Sequence, residues 1–124
     1  MSLLCNAFPN NDNSICINTG EVKSNKKTLV TSFVNTCSVL AFNHNDINFM
    51  AHIDAINPNM VNIITQELQK FSVADIKEIH IWKGNSCYDN CPSFMIAKNI
   101  SKLFNSNIKI NYHKSDNNII KIEK

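Results

Sequence analysis

The sequence contains no arginine, and its lysines are spread along the chain. The formal net charge at pH 7 is only +2. Because a nucleic-acid groove or an anionic membrane surface requires concentrated positive charge, neither partner is expected. No apolar run approaches the roughly 18 residues that a membrane-spanning helix needs, and residues 1–4 lack a secretory pattern. The sequence therefore predicts a soluble cytoplasmic protein, acting in its own cell or in a host cell.

The chain has five cysteines, an odd number that leaves at least one thiol outside any intramolecular disulfide framework. An incomplete framework is more typical of a reducing compartment. Cys87 and Cys91, with His80 nearby, have the ligand types of a zinc site. Structural zinc sites usually need four ligands, however, and the remaining pair, Cys5 and Cys16, lies in a segment predicted to be loosely ordered. We therefore expect no metal and no other cofactor.

Length and composition indicate one folded domain. The 124 residues are 44% apolar and 18% charged, which is enough to bury a core of ordinary size but not two. Residues 1–14 are rich in asparagine and lack periodicity, so they are predicted to form a loose leader. The sequence predicts a single domain over residues 1–124.

Runs of β-branched and aromatic residues predict several short strands. They comprise two strands within residues 15–34, then residues 37–42, 49–53, 76–82, 108–113 and 119–122, the last two forming a closing hairpin. Helical spacing predicts one helix that begins at Asn57 and Pro58, and a second over residues 92–104. Their predicted buried faces comprise Met60, Val61, Ile64, Leu68 and Phe71, and Ile96, Ala97, Ile100 and Leu103. The pattern predicts an α+β fold, in which mostly antiparallel strands form a central sheet core flanked by two helices.

One predicted hairpin brings a cysteine and a histidine together. The polar residues 43–46 are typical of a hairpin loop, so Phe42 is expected to pair with Ile47. Counting back along both strands places Cys37 opposite His52. Directly opposed residues hold their Cβ atoms about 4.5–5.5 Å apart, close enough for a thiol and an imidazole to share a hydrogen bond. The pattern predicts a nucleophile and its base.

Residues 17–55 resemble the catalytic segment of the cysteine protein deamidases. These include bacterial chemoreceptor glutamine deamidases, the catalytic domains of cytotoxic necrotizing factors, and protein N-terminal asparagine amidohydrolases. In these families a threonine or serine lies six residues before the catalytic cysteine, and a histidine follows on the next strand. Thr31 lies six residues before Cys37, and His52 lies fifteen residues after it. The order of the downstream elements is also similar.

The resemblance implies a cysteine hydrolase fold of the chemoreceptor deamidase and necrotizing factor type, with Cys37, His52 and Thr31 as catalytic residues. The imidazole would lower the pKa of the thiol, and Thr31 would orient the imidazole. Asn35, Thr36 and the backbone of Cys37 would bind the substrate and its oxyanion. The implied reaction is hydrolysis of an asparagine or glutamine side-chain carboxamide on a protein or peptide, with release of ammonia.

Two features favour the N-terminal asparagine amidohydrolase type. Thr36-Cys37 and the His-x-Asp sequence that begins at His52 resemble those enzymes, whereas the glycine before the catalytic cysteine of the chemoreceptor deamidases is absent. Asp54 is expected to orient the imidazole or to bind a substrate amine. Two alternatives remain open. One is deamidation of an internal glutamine, and the other is a non-catalytic family member that binds a protein partner.

Overall fold

The computed structural model describes residues 13–32, 34–115 and 119–123. The strands are β1 (Ser14–Cys16), β2 (Val22–Asn25), β3 (Thr28–Thr31), β4 (Ser38–His44), β5 (Ile47–Ile53), β6 (Glu78–Lys83), β7 (Lys109–Lys114) and β8 (Ile120–Ile122). The helices are α1 (Met60–Leu68) and α2 (Pro92–Ser101), and a 3₁₀ turn covers Val73–Asp75. The predicted loose leader lies outside the described residues up to residue 12, but its last residue, Ser14, already begins β1.

The strands form two mixed sheets. The larger sheet has five strands in the order β2-β5-β4-β6-β7, and the smaller has three in the order β1-β3-β8. Neighbouring strands are antiparallel except in the pairs β6–β7 and β1–β3, which are parallel. The α+β class with two helices is confirmed. The prediction of a single central sheet is wrong, because the first, third and last strands pair with each other and form a separate layer.

The larger sheet is buried on both faces, so its central strands are apolar at successive positions rather than alternate ones. Leu40 and Phe42 of β4 face the core that contains both helices. Val39 and Ala41, the alternate residues, face a second core that contains the smaller sheet. The helices and the smaller sheet therefore cover opposite faces, and the candidate site lies on the face toward the smaller sheet.

The β4–β5 hairpin is tighter than predicted. Its turn consists only of Asn45 and Asp46, whose φ angles are 51° and 68°. Two successive positive φ angles are typical of the two-residue turns that match the twist of a hairpin, and asparagine and aspartate tolerate them. His44 therefore pairs with Ile47, and every pair is shifted by two positions from the predicted register. Because the shift is even, each side chain keeps its predicted face of the sheet.

The helices are shorter than predicted, and one residue expected on the buried face of each is exposed. α1 begins at Met60 rather than at Asn57, whose side chain instead accepts a hydrogen bond from the Asn59 N–H at 2.9 Å. Val61 of α1 is 47% exposed, and Leu103 lies beyond the end of α2 and is 52% exposed. Helical spacing identifies the apolar stripe of a helix, but it does not show how much of that stripe is buried.

The predicted closing hairpin is wrong. β7 pairs with β6 in parallel, and β8 pairs with β3 in the other sheet. The reason is that α2 connects β6 to β7, and a strand that follows a crossover helix returns in the same direction as the strand before it. The chain then passes from the larger sheet to the smaller one, where Ile120 and Ile122 are buried.

Candidate active site

Cys37 and His52 lie on the same face of the larger sheet but are not opposite each other. His52 pairs with Val39, which lies two positions after Cys37. Extending the register places Asp54, not His52, opposite Cys37. Val39 and Cys37 both belong to the apolar cluster against the smaller sheet. Cys37 and His52 are thus diagonal neighbours, whose backbones in an antiparallel pair stand about 7–8 Å apart.

His52 is fully buried, and Thr31 of the smaller sheet determines its orientation. The Thr31 hydroxyl donates a hydrogen bond of 2.8 Å to the carbonyl of Ile17 and lies 2.7 Å from Nδ1 of His52. Because the only hydroxyl hydrogen goes to Ile17, Nδ1 must carry its own hydrogen and donate it to Thr31. Nε2 therefore presents a lone pair, and this buried atom has no hydrogen-bond partner.

The His52 imidazole is neutral near pH 7. Burial lowers its pKa to about 4, and the negative charge of Asp54 opposes this shift only in part. A neutral imidazole with its lone pair on Nε2 is the form that a general base must have before it accepts a proton. The expected contact between Thr31 and His52 is therefore present. It uses Nδ1 and leaves Nε2 without a partner.

Among the cysteines of the described ranges, Cys37 is the one with a free thiol. Burial raises the pKa of its thiol to about 11, with a further contribution from the negative charge of Asp54. The expectation that the imidazole lowers this pKa is wrong for the unliganded protein, because desolvation disfavours the thiolate. The thiol is therefore protonated near pH 7 in the free protein.

Asp54 acts on the site through its charge. Its Oδ1 accepts a hydrogen bond of 3.0 Å from the backbone N–H of Ile56 in the turn after β5. Nδ1 of His52 is bound to Thr31, and Nε2 has no partner, so Asp54 does not orient the imidazole. Of the two roles expected for Asp54, only the binding of a substrate group remains.

Asn35 and Thr36 form an exposed turn directly before Cys37. Residues from other segments donate hydrogen bonds to their carbonyls. The Asn35 carbonyl accepts from the Ser86 N–H at 3.0 Å, and the Thr36 carbonyl accepts from the Ser93 hydroxyl at 2.7 Å. By contrast, no residue in the ranges 13–32, 34–115 and 119–123 accepts a hydrogen bond from the N–H of Thr36 or Cys37. Adjacent unpaired N–H groups beside a nucleophile are suited to binding an oxyanion.

Two residues that sequence reasoning missed fix this segment. Ser93, buried in the first turn of α2, lies 2.9 Å from the Ser38 hydroxyl, so that it contacts the chain on both sides of Cys37. A Cβ atom on Gly84 would stand 2.0 Å from the Asn35 carbonyl oxygen and 2.3 Å from that of Cys37. Only glycine leaves room for this approach. The sequence signal for Gly84 was its position directly after a predicted strand.

An aromatic wall, formed by His80, Trp82 and His113, lies beside the site on the larger sheet. Trp82 pairs with Val39 on one side and with His113 on the other. The Trp82 and His113 rings are 4.7 Å apart, and Nδ1 of His80 lies 3.0 Å from Nε2 of His113. No sequence spacing indicates this wall, because it depends on the parallel pairing of β6 and β7.

Cys87 and Cys91 form a disulfide, and Cys16, which lies in β1 rather than in a loose leader, is also disulfide-bonded. The expectation of a reducing compartment is therefore not supported, because such bonds are typical of oxidising surroundings. No group of three or more histidine, cysteine, aspartate or glutamate side chains within the described ranges could hold a metal ion.

The burial of neutral His52 makes stability depend on pH. An imidazole with a pKa near 6.5 when unfolded and about 4 when folded contributes stability that is complete above pH 6.5 and is lost as the pH falls toward 4. The full effect is about 3 kcal/mol. Urea unfolding between pH 7 and pH 4 should show this loss, and His52→Gln should flatten it. His44→Gln is the control, and equal pH dependence in all three proteins would contradict the assignment.

None of the described helices is long and apolar enough to cross a membrane. No protein-family model matches the chain, and no curated protein matches it.

Proposed function

We propose that the protein is a cysteine-dependent protein deamidase that hydrolyses an asparagine or glutamine side-chain carboxamide and releases ammonia. The observation that carries the proposal is the buried imidazole of His52, held by Thr31, with an unpartnered Nε2 on the face that also carries the free thiol of Cys37. A buried polar atom without a partner costs about 1–3 kcal/mol, so it requires an explanation, of which a catalytic role is one.

In the first half of the reaction, the thiol proton of Cys37 passes to Nε2 of His52 as the sulfur attacks the carboxamide carbon. The carbonyl oxygen becomes an oxyanion, for which the free N–H groups of Thr36 and Cys37 are the available donors. The C–N bond then breaks, and the proton on His52 goes to the leaving nitrogen. The products of this half are ammonia and a thioester on Cys37.

In the second half, neutral His52 accepts a proton from a water molecule that attacks the thioester carbon. The C–S bond breaks, the proton returns to the sulfur of Cys37, and the substrate leaves as aspartate or glutamate. The hydrogen bond from Nδ1 to Thr31 persists throughout and keeps Nε2 available. No cofactor takes part in either half.

The charge on Asp54 favours a substrate with a free α-amine. Its carboxylate helps to keep the Cys37 thiol protonated, and it follows β5 at the position opposite Cys37. A substrate ammonium paired with Asp54 would cancel this charge and thereby lower the pKa of the thiol. Binding of an N-terminal asparagine would thus activate the nucleophile. This supports the N-terminal asparagine amidohydrolase type, with internal glutamine deamidation as the alternative.

The finer fold assignment belongs to the same proposal: a cysteine hydrolase fold similar to those of chemoreceptor deamidases and cytotoxic necrotizing factors. The order of elements from β4 to β7 supports it. The placement of the protein in a cytoplasm, its own or that of a host, stays a further proposal. The non-catalytic alternative, binding of a protein partner, is favoured by the high pKa of the resting Cys37 thiol, about 11.

The deciding experiment is ammonia release from four short peptides, carrying asparagine or glutamine at either the first or an internal position. We expect release from the peptide with N-terminal asparagine, together with the mass change of deamidation at that residue. Release only from internal glutamine would select the alternative reaction. No release from any peptide or intact protein tested, with Cys37 shown to be reduced, would favour the non-catalytic alternative.

Asp54→Asn should discriminate between free and blocked amino termini. We expect kcat/KM for the peptide with a free N-terminal asparagine to fall about 10- to 100-fold, because the ammonium loses its charged partner. The wild type and the variant should both deamidate the N-acetylated peptide slowly, and at the same rate. Asp46→Asn, in the hairpin turn away from the site, is the matched control. Equal losses of kcat/KM on both peptides would show that Asp54 does not bind the substrate amine.

A further inference from the structure

The Cys87–Cys91 disulfide closes a short loop between β6 and α2. It joins positions four apart in the sequence, and the two Cα atoms are 5.5 Å from each other. A disulfide that closes so short a loop restricts the unfolded chain less than one that closes a long loop, so it contributes less to global stability. Its effect is therefore expected mainly in the loop and in the residues that the loop contacts.

The residues on either side of the disulfide donate hydrogen bonds to three consecutive carbonyls that precede Cys37. The bonds join the Asn85 N–H to Val34 (2.9 Å), the Ser86 N–H to Asn35 (3.0 Å) and the Ser93 hydroxyl to Thr36 (2.7 Å). Two of these donors come directly before Cys87, and the third lies two positions after Cys91. The disulfide thus limits the distance between the two groups of donors that hold the turn before the thiol.

The segment inside the disulfide contains a residue in a left-handed conformation. Asp89 has a φ angle of 42°. Residues other than glycine adopt this conformation uncommonly, and they keep it where the surrounding structure imposes it. The disulfide imposes closely spaced ends on this loop. Opening the bond would allow Asp89 to return to a negative φ, and Ser86 and Ser93 would then be free to move apart.

The disulfide is accessible to a reductant at Cys91. Cys91 is half-buried, whereas Cys87 is 6% exposed, and Tyr88 at the tip of the loop is 84% exposed. When a thiolate of a dithiol reductant attacks the Cys91 sulfur, the S–S bond breaks, a mixed disulfide forms on Cys91, and Cys87 leaves as a thiolate. The second thiol of the reductant then displaces Cys91. Two electrons and two protons pass to the cysteine pair, and the reductant becomes a cyclic disulfide.

We propose that the Cys87–Cys91 disulfide is a positioning element for the turn before Cys37, and that a dithiol reductant lowers the activity of the protein by opening it. This inference rests on the proposed deamidase function. In that mechanism the N–H groups of Thr36 and Cys37 bind the oxyanion, and the three carbonyls bound by the loop fix the orientation of their peptide units. A loosened turn would still admit the substrate but would stabilise the oxyanion less.

The test compares the oxidised wild type with the same protein after treatment with dithiothreitol, and mass spectrometry establishes the state of each cysteine. We expect kcat for ammonia release to fall about 10- to 100-fold on reduction, with little change in KM, because misplacement of catalytic groups by about 1 Å can cost 100-fold. The double variant Cys87→Ser/Cys91→Ser should have the low kcat without reductant and no response to it. Cys16→Ser, which removes the other disulfide-bonded cysteine of the described ranges, is the matched control and should stay active and still respond.

Equal kcat in the oxidised and reduced wild type, or wild-type kcat in the double variant, would overturn the inference. A response to dithiothreitol that persists in the double variant would also overturn it, because another disulfide would then be responsible. Circular dichroism of the reduced wild type distinguishes a local effect from unfolding, and loss of the folded spectrum on reduction would contradict a positioning role.

A wild type that releases no ammonia overturns the proposed function instead, and the disulfide is then tested by amide hydrogen exchange. Reduction should speed exchange of the Asn85 and Ser86 N–H groups by about 10-fold or more, because their hydrogen bonds to the turn open more often. The His52 N–H, which donates to the Glu21 carbonyl in another part of the fold, is the internal control and should not change. Unchanged exchange at Asn85 and Ser86 would show that the disulfide does not hold the turn.

Discussion

Cys37→Ala is expected to reduce ammonia release to the level of a protein-free control. The variant has no atom that can form the thioester, so the covalent route is lost completely rather than slowed. Loss of a nucleophile from a coupled site typically costs several orders of magnitude in kcat. The measurement is ammonia released from the preferred peptide, together with the deamidated fraction by mass spectrometry. Cys37 is only partly buried and no large side chain is removed, so folding should be retained.

Cys37→Ser provides a closer control, because it keeps the volume of the side chain and replaces the sulfur by a weaker nucleophile. It should be as inactive as Cys37→Ala, and both should show the circular dichroism and melting temperature of a folded protein. Trapping with hydroxylamine should release a hydroxamate from the wild type but not from either variant. If folded Cys37→Ala still releases ammonia at the wild-type rate, the thioester mechanism is excluded.

The contact between Thr31 and His52 could be predicted only through the resemblance, because the two residues lie in strands of different sheets. Both residues lie in strands rich in β-branched and aromatic neighbours, and the spacing to Cys37 resembles that of a known group of enzymes. The exact partner of Cys37 could not be predicted. It depends on the length of the β4–β5 turn, and the φ angles of 51° and 68° at Asn45 and Asp46 are what shift the register. An even shift leaves the face unchanged, so Cys37 and His52 still lie on the same face of the sheet.

The remaining parts of the site depend on contacts between distant segments. Ser93 reaches the Thr36 carbonyl only because the first turn of α2 packs beside the end of β4, and the two residues are 57 positions apart. His113 stacks on Trp82 only because β7 pairs with β6 in parallel. Neither contact follows from a periodic pattern. Local propensity decides which segments are strands, but the order of strands in a sheet follows from burial on both faces.

The protonation states of Cys37 and His52 in the free protein could not be predicted from the sequence either. A cysteine next to a histidine suggests a lowered thiol pKa, yet burial and Asp54 raise the pKa of Cys37 to about 11. Burial lowers the pKa of His52 to about 4. Both shifts favour the neutral pair, so the free protein keeps a thiol and a neutral imidazole near pH 7. A thiol reacts more slowly with oxidants and alkylating agents than a thiolate does.

His52→Ala should abolish activity as completely as Cys37→Ala, whereas Thr31→Val should only weaken it. In the proposed mechanism His52 takes the thiol proton, gives it to the leaving nitrogen and activates water, so its loss affects every step. Thr31 fixes only the tautomer and the orientation of the ring, through the 2.7 Å contact to Nδ1. An orienting group of this kind is worth about 10- to 1000-fold in kcat.

The two variants also differ in stability, which separates structural from chemical effects. Thr31→Val leaves the Ile17 carbonyl and Nδ1 of His52 buried without partners, at a cost of about 1–3 kcal/mol, whereas Thr31→Ser keeps both hydrogen bonds and should retain most of the activity and stability. We therefore expect a folded but inactive His52→Ala, a destabilised and weakly active Thr31→Val, and a nearly normal Thr31→Ser. Urea unfolding and kcat, measured on the same preparations, test this order. If folded His52→Ala retains more activity than Thr31→Val, another group supplies the base, and the unpartnered Nε2 of His52 does not mark the reaction centre.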